Sequence, residues 1–123
     1  MPVKADILVS VIDDDESVRE SIPSLLRAFG FDARAFDSAE AFLASDAIEA
    51  TKCLILDVAM PGMSGPELFE QLKQGPTDIP VIFITAHGTS ELCGRLIRLG
   101  AAACLQKPFD PMALMEALQH ALP

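Results

Sequence analysis

Long apolar runs are missing from this sequence. Its wholly apolar stretches last only a few residues, far short of a membrane-spanning helix, and "MPVKADILVSVIDDD" has neither the extended apolar core nor the small-residue cleavage site of a secretory signal. Both absences argue against a membrane or export role, and the expected location is cytoplasmic. Basic residues are scarce too. Lysine and arginine together number 9 against 18 acidic residues, a net charge of -9, which repels phosphate backbones and anionic lipid surfaces. Direct nucleic-acid and membrane partners are therefore not expected. No Cys-x-x-Cys pair is present. Cys53, Cys93 and Cys104 sit among apolar neighbours, so buried free thiols are expected, and neither a disulfide framework nor a zinc site. Linkers, low-complexity tracts and internal repeats are also lacking. The 123 residues, 50% hydrophobic, read as one domain, 1–123, with enough apolar material for a single core and nothing left over for an output domain.

What is present is an alternation of short apolar runs with longer amphipathic segments. "ILVSVI", "DARAF", "CLIL", "VIFIT" and "ACLQ" read as strands, each followed by a helical stretch, five strand–helix units in all. The strands are too uniformly apolar to have a wet face, which predicts a parallel sheet covered by helices on both sides. Helix starts carry their own signals. Ser64 and Glu67 in "SGPE" form a capping box with Pro66 in the first turn, Asp110 precedes Pro111, and Asp37 with Glu40 makes a looser box. The first helix, roughly Glu16 to Phe29, contains Pro23, which removes a hydrogen bond and predicts a kink or distorted turn.

The chemistry-bearing residues stand at the carboxyl ends of the predicted strands: Asp13 and Asp14 after the first, Asp57 after the third, Thr85 after the fourth and Lys107 after the fifth. In an open parallel sheet these ends share one edge, and ligands bind in the crevice outside it. Three carboxylates brought together repel one another unless a hard dication lies among them, and Mg²⁺ suits one or two carboxylates with water and a phosphate oxygen. Lys107 adds a positive charge and Thr85 a hydroxyl, a combination that suits a phosphoryl group held beside the metal. Taken singly, each residue has a plainer explanation. Aspartates before a helix stabilise its positive end, Thr85 fits a strand end on propensity, and Lys107 and His87 suit a solvated loop. Those explanations do not account for all of them falling at the same end of different strands.

The motifs "VIDDDESVRE", "LILDVAMPGMSGPEL", "VIFITAHG" and "GAAACLQKPF" resemble, in order and over essentially the whole chain, the CheY-like receiver domain of two-component response regulators, with "FDARAFDSAEAFL" and "AHG" most similar to the FixJ-like branch. The resemblance implies an α/β, flavodoxin-like (βα)5 three-layer sandwich with a parallel five-stranded sheet of order 2-1-3-4-5. By position, it makes Asp57 the phosphorylated residue, Asp14 a direct Mg²⁺ ligand, Asp13 the acid that holds metal-bound water, and the Ala59 carbonyl a further ligand. Asp15 falls outside the metal set and assists the helix start. Thr85 and Lys107 resemble the residues that grip the phosphoryl oxygens, and the Lys107–Pro108 bond is implied to be cis.

The implied function is transfer of a phosphoryl group from a sensor histidine kinase to Asp57. Thr85 and a switch residue at Cys104 then reshape the face of the fourth helix, fifth strand and fifth helix for an output domain, a partner protein or a phosphorylation-dependent homodimer. Such a domain is not an enzyme in the ordinary sense, although it catalyses its own phosphorylation and dephosphorylation. Three features depart from the family pattern: Cys104 where an aromatic ring is typical, Ala103 in place of a frequent polar residue, and His87 with Ala59 at positions that tune dephosphorylation. Other readings of the same residues are a Mg²⁺-dependent phosphohydrolase with Asp13 as nucleophile and Asp15 as acid, a flavin module of the same fold, and a non-phosphorylated interaction module. The flavin reading meets an acidic first loop where a flavin phosphate needs glycine, serine or threonine donors.

Overall fold

The computed structural model describes residues 7–76, 78–86 and 90–122. Its strands are β1 (Leu8–Ile12), β2 (Asp32–Phe36), β3 (Thr51–Asp57), β4 (Val81–Thr85) and β5 (Ala103–Gln106). The helices are α1 (Glu16–Ala28), α2 (Ala39–Leu43), α3 (Ala47–Ala50), α4 (Gly65–Gln74), α5 (Ser90–Arg98) and α6 (Pro111–Ala121). The sheet runs β2-β1-β3-β4-β5, and every pairing is parallel.

The three central strands show why the fold is three-layered. Successive side chains along a strand point to opposite faces, so a strand apolar at every position needs cover on both sides. Leu54 and Leu56 of β3, with Val81 and Phe83 of β4, join Phe42, Leu68, Phe69, Leu72 and Leu96 in one buried cluster, so α2, α4 and α5 cover that face. Cys53 and Ile55 of β3, with Ile82 and Ile84 of β4, join Ile22, Leu26, Leu114 and Leu118 in the other, so α1 and α6 cover the opposite face. Phe69 and Phe83 meet edge to face at 5.4 Å between ring centroids, fastening α4 to the middle of the sheet.

Three expectations need correction. The predicted second helix is two short pieces, α2 and α3, so the fourth and fifth helices of the sequence pattern are α5 and α6. Ser45 lies between the pieces, its hydroxyl donating to the Phe42 carbonyl and accepting from the Ala47 amide, which satisfies the backbone where helical bonding lapses. Asp37 does not cap: Ser38 accepts from the Ala41 amide instead, and the Glu40 carboxylate accepts from the Met63 amide across the fold. The edge strand β2 does have a wet face, since Asp32 and Arg34 are exposed while Ala33 is buried between them. Helix α1 is continuous through the buried Pro23. The other two caps form as read, a complete capping box at Ser64 and Glu67 and a cap from Asp110 to the Met112 amide.

Candidate functional site

Backbone hydrogen bonds carry the sheet's register past the strand ends and place the site. The Asp13 amide donates to the Phe36 carbonyl, Val58 to Ile84, and Lys107 to Thr85 at 2.8 Å, so the residues that finish β1, β3, β4 and β5 stand side by side on one edge. The resulting cleft, about 340 Å³, is lined by Asp13, Asp14, Asp15, Asp57, Ala59, Thr85, Ala86 and Lys107. The residues singled out at the strand ends are thus brought together, with Ala59 on the cleft wall. His87 lies outside the described residues.

Asp13 is fully buried, and both its carboxylate oxygens are engaged: one accepts from the Asp15 amide at 2.9 Å, the other from Lys107 Nζ at 2.7 Å. Lys107 Nζ also lies 3.7 Å from Asp57. The Lys107–Pro108 peptide is cis. Arg19, which sequence reasoning passed over, reaches back from α1 to donate to the Asp13 carbonyl at 3.0 Å and so fixes the turn that presents the aspartates. Its only sequence signal is its place six residues on, near the start of the helix.

Electrostatics differ sharply along the acidic triplet. Asp15 is exposed and caps α1, and hydrogen bonds from the Ser17 hydroxyl and amide hold its carboxyl below the ordinary range. Asp57 goes the other way. Burial first, then the Asp13 charge, push its carboxyl from 3.8 to about 7, with Asp14 adding to the rise and Lys107 opposing it. Burial alone would favour loss of the Lys107 proton, yet the hydrogen bond to Asp13 and the surrounding carboxylates raise its affinity for that proton, so it stays an ammonium. One oxygen from each of Asp13, Asp14 and Asp57 lies within 4.8 Å of the others, three hard donors with one lysine to neutralise them among the described residues. This donor set fits a divalent cation with oxygen preference.

The hydrolase reading finds no support in this geometry. Its nucleophile, Asp13, is fully buried with both carboxylate oxygens hydrogen-bonded, and its acid, Asp15, is held low where a general acid needs a raised pKa.

The expectation of free thiols holds for Cys53 alone; Cys93 of α5 and Cys104 of β5 are joined in a disulfide. Cys104 packs against the cluster on the α5 side of the sheet, and Cys93 precedes the buried Leu96 by three residues, which puts both on the same side of α5. The pairing follows from the phase of α5 over β5, which composition does not reveal.

Gly65 sits where α4 leaves the site. Its amide donates to the Val58 carbonyl, and a Cβ there would run into the Asp57 carbonyl. Gly65→Ala should therefore shift the backbone beneath Asp57 and lower stability by about 1–3 kcal/mol. Urea unfolding of the two proteins measures it, and an unchanged midpoint would show that the loop yields without strain.

A family model described as the response regulator receiver domain matches residues 9–119. Response regulator protein TodT of Pseudomonas putida is 40% identical over 115 residues, covering 94% of this chain and 51% of that protein. Transcriptional regulatory protein FixJ of Azorhizobium caulinodans is 41% identical over 114 residues, 93% of this chain and 54% of that one. The chain thus spans about half the length of the curated relatives it matches. The solved structure of response regulator StyR superposes with a TM-score of 0.86 at 47% identity, covering 96% of this chain and 60% of that one. No helix among the described residues is long and apolar enough to cross a membrane.

Proposed function

We propose, because this chain belongs to the response regulator receiver domain family, that residues 1–123 act as one receiver domain of a two-component phosphorelay in which Asp57 takes the phosphoryl group from a sensor histidine kinase. The observation that carries this reading is the convergence of Asp57, Lys107 and the Asp13–Asp14 pair in one open cleft. An ionised Asp57 oxygen attacks the phosphorus of a phosphohistidine. The O–P bond forms, the P–N bond breaks, and its electron pair leaves with the imidazole. Lys107 is held as an ammonium beside Asp57, where negative charge gathers on the transferring oxygens, and Thr85 supplies a hydroxyl at the same edge. Asp13, Asp14, Asp57 and the Ala59 carbonyl would hold the cation. Mg²⁺ bound there supplies the remaining positive charge that lets so acidic a site accept an anion. Hydrolysis of the acyl phosphate by water resets the domain, in the cytoplasm.

Readout passes through Thr85 and Cys104 to the surface of α5, β5 and α6, where Ile97, Leu99 and Met112 are exposed large apolar side chains. That face serves an output domain, a partner protein or a second phosphorylated copy. Incubation with acetyl phosphate and Mg²⁺, followed by peptide mass spectrometry, should place the adduct on Asp57. An adduct on Asp13, or full labelling of Asp57→Asn, overturns the assignment.

A further inference from the structure

We propose that Cys93 and Cys104 are a reversible redox site whose oxidation locks α5 onto β5 and blunts the response of that face to phosphorylation, an inference that rests on the receiver reading above. The pair is built for bonding: the Cα atoms are 5.5 Å apart, within the range a disulfide spans without backbone movement, and only 11 residues separate the two in sequence. Both residues are partly exposed, so oxidant and reductant reach them. Cys53 is the internal contrast. It is fully buried, remains a thiol, and burial pushes it up to about 12, so it has almost no thiolate with which to react.

The bond's place in the fold gives it leverage over the site. Cys104 pairs in register with Phe83 on β4 and stands three residues before Lys107, whose amide donates to the Thr85 carbonyl. Cys93 lies in the first half of α5, the helix that follows Thr85. The bond therefore ties α5 to the strand leading into Lys107. While it persists, α5 cannot slide or turn over β5. Once it is reduced, the two elements are held by packing alone, and Cys104 has a small side chain where a ring would fill the space more fully.

The chemistry balances with a peroxide as oxidant. One thiolate attacks the O–O bond, giving a sulfenic acid and, after protonation, water. The second sulfur then displaces the sulfenic oxygen, which leaves as a second water. The two sulfurs give up two electrons and the peroxide takes them. A dithiol reverses the bond by thiol–disulfide exchange through a mixed disulfide. In a reducing compartment such a bond forms under oxidant and is undone afterwards.

The test uses the full chain, reduced with dithiothreitol or oxidised with hydrogen peroxide. Alkylation and mass spectrometry should show Cys93 and Cys104 labelled in the native reduced form, protected after oxidation and labelled again after dithiothreitol, with Cys53 labelled only on unfolding. Hydrogen exchange on α5 and β5 is then measured with and without beryllofluoride, in both redox states. Exchange of α5 amides should be about tenfold slower in the oxidised form, because closing so short a loop removes opened states. The change caused by beryllofluoride should be large in the reduced form and small in the oxidised one. Cys93→Ser, or Cys93→Ala if serine perturbs α5, should respond like the reduced protein whether or not peroxide is added. Equal, measurable responses in both redox states overturn the lock while leaving the receiver reading intact, as does a pair that does not oxidise reversibly. No response in either state, with Asp57 unlabelled by acetyl phosphate, overturns the receiver reading and the lock together.

Discussion

Replacing Lys107 by methionine should slow phosphoryl transfer to Asp57 by about 10²–10³-fold, the loss typical when one preorganised charge or donor is removed from a transition state. Methionine keeps most of the apolar stem, so the change isolates the ammonium from the packing. Two effects contribute. The transferring oxygens lose the positive charge now 3.7 Å from Asp57, and Asp57 loses a neighbour that opposes the rise of its pKa, so less of it is ionised at neutral pH. The same substitution strips the fully buried Asp13 of its 2.7 Å partner. Orphaning one member of a buried pair costs about 3–5 kcal/mol, and because the Lys107 side chain is 20% exposed, about 2–3 kcal/mol is the expected loss here. Stopped-flow kinetics with a small phosphodonor gives the rate and urea titration without metal gives the stability. A variant that is phosphorylated at the native rate would remove Lys107 from the reaction.

The site's legibility in the sequence has a structural cause. In a parallel sheet all strands end on one edge, so polar residues that close apolar runs become neighbours whatever their separation in the chain. Asp13 and Lys107, 94 residues apart, meet at 2.7 Å for that reason. Features that failed to show in the sequence depend on geometry that periodicity does not carry. Whether "SAEAFLASDAIEA" is one helix or two turns on Ser45, which hydrogen-bonds to backbone on both sides of the gap. Whether Cys93 meets Cys104 turns on the rotation of α5 over the sheet. Glu40 has the sequence spacing of a capping residue, but a loop 23 residues away offers its carboxylate an amide instead. In each case the local signal was real and a tertiary partner changed its outcome.

The cleft is charged beyond what the fold alone prefers, and Asp57→Asn should expose the cost. Without metal, the folded state holds the Asp57 proton up to about pH 7, whereas the unfolded chain releases it near 3.8. Between those values the native state binds more protons than the unfolded one, so stability falls as pH rises through this window and stays at its lower level above it. Asparagine has no such proton to lose. Asp57→Asn and the native protein should therefore unfold at similar temperatures near pH 4. The variant should gain progressively to about pH 7 and hold above it a lead of about 4 kcal/mol at most, the linkage value for a carboxyl moved from 3.8 to about 7, or roughly 10–20 °C in a domain of this size. Mg²⁺ should narrow the lead, because a cation held by Asp57 stabilises the native protein more than a variant lacking that carboxylate. Thermal unfolding in EDTA and in Mg²⁺, from pH 4 to 8, measures all of this. If the two curves stay parallel across the whole range, Asp57 ionises as an ordinary aspartate, and its crowding by Asp13 and Asp14 carries no energetic penalty for the cation to relieve.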